Sequence, residues 1–320
     1  MTTASDAGVA LSPIRPQRPL RGILYLCIGV VLFSLHDVGV KWVSGSYPLA
    51  EVLTIRSATA LPFFLLLVHL DPGLTALAPP KIGLIMLRAV LLLIGYLSYY
   101  LGFAAMPFTD AVALYMSVPL IIVVLSGPFL GERIGWLSWL AVIVGFLGVI
   151  VMLRPGSGVF EPAALLILFC ALLYSIGMVM TRGLSGSAPA SVMAFYNTVF
   201  FLGAAIGIGI VQTVWGFAEA THPSIAFLTR PWVWPSALDL ATMIGCGVVA
   251  FGGIAGLTYG YREADANLVA SFEYTALVWA PIWGFLIWAE VPGPATIAGA
   301  GLIVGAGLAA LFAGRAGRAV

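Results

Sequence analysis

Apolar residues in this chain come in long, nearly unbroken runs. They do not alternate as in a half-buried strand, nor form the one-sided stripe of a surface helix. Ten runs lie at about 21–43, 48–69, 82–104, 107–130, 134–153, 160–182, 189–214, 238–261, 266–289 and 294–313. Each approaches the roughly 20 residues that a helix needs to cross about 30 Å of hydrocarbon. Breaker segments separate them, including Ser44 to Pro48, Asp71 to Lys81, Gly131 to Gly135, Arg154 to Gly158 and Gly183 to Pro189. A membrane barrel would show short stretches of alternating polarity. Continuous runs favour helices, which satisfy their own backbone groups in lipid. The pattern predicts an all-α integral membrane protein of ten transmembrane helices.

Composition agrees and excludes other classes. Of 320 residues, 61% are hydrophobic and 8% charged, against about 25% charged in a soluble domain. A soluble enzyme, a nucleic-acid binder and a disordered chain are all disfavoured, and a net charge of +1 points to no acidic polymer as partner. The basic residues set an orientation. With a cytoplasmic N-terminus, Arg15, Arg18, Arg21, Lys81, Arg133, Arg182, Arg262, Arg315 and Arg318 lie inside. Arg154 and Arg230 lie outside, and Lys41, Arg56 and Arg88 fall within spans. Both termini are expected on the cytoplasmic side. Residues 1–19, with Pro13, Pro16 and Pro19, read as a disordered tail, and 315–320 as a second short tail. The first apolar run is too long for a cleaved signal peptide. Cys27, Cys170 and Cys246 sit in separate spans without metal-like spacing, so neither metal nor cofactor is expected. The outer loop at about 215–237 carries Trp215, Trp232 and Trp234, which suit the headgroup level.

The halves 20–153 and 160–314 resemble each other. An apolar helix, Glu132, a tight turn and a Gly-studded run close the first; Glu290, Pro292-Gly293 and a Gly-studded run close the second. Gly102-Phe103 with Thr109-Asp110-Ala111 has a counterpart in Gly260-Tyr261 with Ala264-Asp265-Ala266. Five spans per half is an odd number, so the second half enters the membrane inverted, a plan that recurs in secondary transporters. Leu130-Gly131-Glu132-Arg133 at the end of span four resembles the drug/metabolite transporter superfamily, EamA type. So do the segments from Glu273 to Ala280 and from Trp288 to Pro292, Phe33-Ser34 with Asp37 and Lys41, and Arg56 and Arg88. The resemblance covers about 20–313. It implies a carrier of the bacterial-type inner membrane, built as two five-helix inverted repeats with both termini inside, and carriage of small metabolites in either direction.

Ionisable residues within spans are the functional candidates, since a charge at a helix centre costs about 2.5–3.5 kcal/mol on insertion scales. Asp37 and Lys41, four apart, share a face and can pair. Arg56 lies about 12 Å deep at 1.5 Å per residue and needs a partner, with Glu51, Asp37 and Glu273 in reach. Arg88 with Tyr99 on one stripe, flanked by Tyr96 and Tyr100, suggests a wall for an aromatic or amphipathic solute. Glu273, followed by Tyr274, is a candidate for proton coupling, for pairing a substrate cation, or for partnering an arginine. His36 reads as a packing residue, with a proton relay as the alternative, and Glu132, Glu290, Asp110 and Asp265 read as turn or cap residues. Gly252, Gly256 and Gly260, and Gly301 and Gly305, mark close helix packing. Pro119 and Pro281 predict kinks.

The expected function is secondary transport of a small organic metabolite by alternating access. Export of an amino-acid-like or aromatic compound comes first; import of a vitamin or nucleotide-like compound is the alternative. The partners are the solute, the bilayer and a coupling ion such as the proton. A membrane-embedded enzyme is the alternative of another class. It lacks support: there is no H-E-x-x-H or G-x-S-x-G, and His36, His69 and His222 are scattered. No P-loop points to ATP drive.

Overall fold

A computed structural model describes residues 19–130, 135–154, 161–184, 186–216, 220–263 and 272–316. Glu132, Arg133, Asp265, Arg15, Arg18 and Arg318 lie outside these ranges, so their expected roles have no structural counterpart here. The described residues contain helices and no strand. In chain order these are α1 (Pro19–Ser44), α2 (Leu49–Leu70), α3 (Ile82–Ala104), α4 (Phe108–Tyr115), α5 (Val118–Leu130) and α6 (Trp136–Leu153). They continue with α7 (Ala163–Leu184), α8 (Ala190–Trp215), α9 (Pro223–Thr229), α10 (Ala237–Glu263), α11 (Ala276–Trp288) and α12 (Pro294–Ala316). Among the described residues, eight helical segments are long and apolar enough to cross a bilayer, with Phe108–Leu125 counted as one. Their outer faces carry exposed apolar side chains such as Leu66, Trp139, Ile143 and Ile210, which is the surface lipid would cover.

The expected span at 107–130 is broken in two. Proline at 119 has no N–H to give the Tyr115 carbonyl, and α4 ends at Tyr115. Met116 and Ser117 close tight turns on Val112 and Leu114, and the Leu120 and Ile121 amides restart the helix on the Ser117 carbonyl. The break therefore precedes Pro119, whereas Pro281 stands inside α11. The expected continuous span at 266–289 also differs within the described residues. Glu273 to Thr275 form a 3₁₀ turn leading into α11.

Helices distant in sequence pair closely: α1 with α10, α3 with α7, α2 with α8, α6 with α12, and α4 with α11. Glycine makes two of these seams possible. A Cβ on Gly256 would stand 2.8 Å from the Tyr25 carbonyl oxygen and 2.9 Å from the Gly29 Cα, so α10 lies directly on the α1 backbone. On the α6–α12 seam, a Cβ on Gly148 would meet the Gly299 carbonyl oxygen at 2.7 Å. Gly301 and Gly305 are different from expectation: nothing lies within 4 Å of the place a Cβ would take. The small-residue spacing in α12 was legible, but the packed face is the one carrying Gly299.

Candidate functional site

The paired helices enclose a cavity of about 370 Å³. Its wall takes residues from α1, α2, α3, α4, α5, α7, α8, α10 and α11 and the turn before α11. Most of the lining is apolar or aromatic, and Tyr96, Tyr99, Tyr100, Tyr115, Tyr174 and Phe201 form a continuous cluster. Tyr96 stacks on Tyr100 with ring centroids 6.1 Å apart and meets Tyr174 and Phe201 edge-on. Tyr99 meets Tyr115 at 5.2 Å and Tyr100 at 5.9 Å. Such tilted and offset arrangements suit the ring quadrupole.

A polar chain crosses this wall. Arg56 Nη1 lies 2.9 Å from His36 Nε2 and 2.5 Å from the Tyr100 hydroxyl, and its guanidinium sits over the Tyr100 and Phe201 rings. His36 Nδ1 lies 2.9 Å from Asp37 Oδ1, and the Tyr99 hydroxyl donates to Asp37 Oδ2 at 3.0 Å. A guanidinium only donates, so His36 Nε2 accepts and the ring proton sits on Nδ1, donated to Asp37. The buried arginine thus reaches a carboxylate through a neutral histidine. This pattern extends one expectation and corrects another. His36 packs against Phe33 and Tyr100 as expected but is also bonded at both ring nitrogens, and Glu51 does not partner Arg56. Glu51 is fully buried and accepts the Val233 amide at 3.2 Å, pinning the outer loop.

The expected Asp37–Lys41 pair also gives way to other partners. Lys41 donates to Glu290 at 3.2 Å and to the Met106 carbonyl, and lies 5.2 Å from the Trp288 ring. Glu290 Oε2 in turn accepts the Phe108 amide at 2.6 Å. Glu290 therefore is a cap, but of α4 on the other half of the chain. This cluster covers one end of the cavity, and the segment after α8 is strapped beside it. Arg230 donates to the Ser44 and Tyr47 carbonyls and the Ser224 hydroxyl to the Leu101 carbonyl. Asp110, in the first turn of α4, accepts from Thr296 at 2.7 Å. At the opposite end the lining extends to Thr258 and to Ala190, which is exposed at the start of α8.

Among the candidate residues, Asp37, Arg56, Arg88, Tyr96, Tyr99, Glu273 and Tyr274 line the cavity, and Lys41 lies beyond its covered end. Arg88 donates from Nε to Thr181 on α7 at 2.5 Å. The aromatic-stacked cation is Arg56 rather than Arg88. Tyr274 points its hydroxyl at Gly307 of α12, where any side chain would overlap it. Tyr115, Tyr174, Asn197 and Phe201 are wall residues that sequence reasoning missed; a polar or aromatic residue inside a long apolar run was the available signal. Among the described residues no group of three His, Cys, Asp or Glu side chains is arranged to hold a metal.

Residues 20–154 match the EamA-like transporter family. Over 297 residues the chain is 25% identical to an S-adenosylmethionine uptake transporter of Rickettsia prowazekii, covering 92% of this chain and 93% of that protein. Over 285 residues it is 29% identical to the pseudopaline exporter CntI of Pseudomonas aeruginosa, covering 88% and 93%. A riboflavin transporter of Rhizobium johnstonii is 28% identical over 297 residues, covering 92% of each. A protein crystal structure superposes with a TM-score of 0.62 at 20% identity, over 93% of this chain and 99% of the other, which is a likeness of fold.

Proposed function

We propose that this chain is an EamA-type transporter of the drug/metabolite transporter superfamily, a secondary active transporter carrying a small aromatic, amphipathic or amino-acid-like metabolite by alternating access. The observation that carries the reading is the cavity itself: about 370 Å³ of mostly apolar wall with a few convergent polar groups, the usual make-up of a small-molecule site. We place it in an inner membrane with both termini cytoplasmic. Arg21 and Lys81 at one end of the bundle, against Arg154 and Arg230 at the other, support that orientation. The end reached at Ala190 then faces the cytoplasm, and the Lys41–Glu290 cluster closes the outside.

Ten crossings in two inverted five-helix repeats, 20–153 and 160–314, are part of the proposal. Here α4 with α5 forms one crossing, and α11 ends another. The helix pairing supports this. The first crossing packs on the eighth and the third on the sixth; the second packs on the seventh and the fifth on the tenth. Exchanging the halves leaves that set of pairs unchanged.

Outward movement is the first reading, in line with the similarity to the pseudopaline exporter. Inward movement is the alternative, in line with the similarity to the S-adenosylmethionine uptake transporter. The drive is an ion gradient, with Asp37 and Glu273 on the wall as the groups to exchange a proton. The test is reconstitution in liposomes with pooled metabolites and an imposed pH gradient. Flux of at least one solute is expected, losing its dependence on the gradient in Glu273→Gln or Asp37→Asn. Absence of flux for every solute would refute the transport reading. Unchanged gradient dependence in both variants would refute the coupling.

A further inference from the structure

Among the described residues, Arg88 is one of two arginines on the cavity wall, and the two are placed in opposite situations. Arg56 is committed to His36, the Tyr100 hydroxyl and two aromatic faces. Arg88 is 8% exposed, and its bonded contact is Nε to Thr181. Its Nη1 is fully buried and has no protein hydrogen-bond partner. A guanidinium carries five donors in a rigid fork, matched to planar oxyanions. A buried donor left unpaired in the protein calls for a specific explanation.

The surroundings say what kind of group would pair with it. Among the described wall residues the formal charges balance, with Arg56 and Arg88 against Asp37 and Glu273. A single uncommitted cationic donor in a formally neutral site suits one negative charge rather than two. Asn197 Oδ1 and Ser57 Oγ on the same wall are also buried without a protein partner, so they offer further polar contacts. The Tyr96, Tyr174 and Phe201 rings present an apolar surface on the same wall.

We propose that Arg88 is the anion-receiving residue of the transport site and takes the carboxylate of the solute, whose apolar body lies against the aromatic cluster. The proposal rests on the cavity being the transport site. Its test uses the full-length protein in detergent, with benzoate and its neutral isostere benzamide as probes and thermal melting as readout. Benzoate is expected to act at a concentration at least tenfold below that of benzamide. In R88Q the two should act alike, and R88K should keep only part of the preference.

A second measurement does not depend on a folded variant. Phenylglyoxal modification of Arg88, read by peptide mass spectrometry on the wild type, should be slowed by benzoate and not by benzamide. Equal action of the two probes on the wild type, a preference that survives in R88Q, or no protection of Arg88 would overturn the proposal. A stronger effect of inorganic phosphate than of benzoate would overturn the carboxylate assignment. Failure of the two readings is distinguishable. Benzoate preference without flux of any pooled metabolite would remove the transport reading alone, and flux without benzoate preference would remove the anion site alone.

Discussion

At the scale of single residues, the account turns on how a few polar groups are satisfied away from water. Arg56 is tolerated because three elements answer it: His36 from α1, Tyr100 from α3 and the Phe201 ring from α8. Removing one partner strands the others, so Arg56→Met should lower stability by about 1–3 kcal/mol, the penalty for an unsatisfied buried group. Glu161→Gln at the half-exposed His222 pair should change it by less than about 0.5 kcal/mol. Melting of the purified variants side by side checks both; equal effects would show that the buried chain has no special weight. Asp37, Arg56, Arg88 and Glu273 were legible as candidates because charge inside an apolar run is conspicuous. Their partners were not. Lys41 and Glu290 are 249 positions apart, and nothing in a single sequence says that their helices meet. His36 was undervalued for the same reason, since its meaning lies in Asp37 on one side and Arg56 on the other.

At the scale of elements, the bilayer made the helices readable. A run that must hide its backbone in lipid shows its length plainly, and the observed helices at 82–104, 136–153 and 190–215 fall within two residues of expectation. The break at Met116 and Ser117 was only half legible. Proline at 119 marked the helix, but the missing bond falls one turn earlier. Which face of a helix packs was not readable from small-residue spacing, as Gly256 and Gly301 show. Gly256→Leu should push α10 off the α1 backbone and destabilise by about 1–3 kcal/mol, with reduced yield of folded protein. Gly301→Ala should stay within about 0.5 kcal/mol. Fluorescence-detected size exclusion after a heating series measures both, and tolerance of leucine at 256 would contradict the seam described here.

At the scale of the whole molecule, one end of the cavity is covered and the other reaches the surface. The covered end is held by contacts between the first and last parts of the chain: Lys41 on Glu290, and Glu290 on the Phe108 amide. Alternating access requires that these contacts part, so that α1, α4 and the end of α11 separate while the other end closes. The direct measurement is solute counterflow in proteoliposomes by a Lys41→Cys, Glu290→Cys protein lacking Cys27, Cys170 and Cys246, before and after bridging by a short bis-maleimide. The account predicts that bridging lowers exchange of the solute more than tenfold relative to the same protein unbridged. Exchange at the unbridged rate, with the bridge shown by mass spectrometry to be complete, would contradict passage through this cavity.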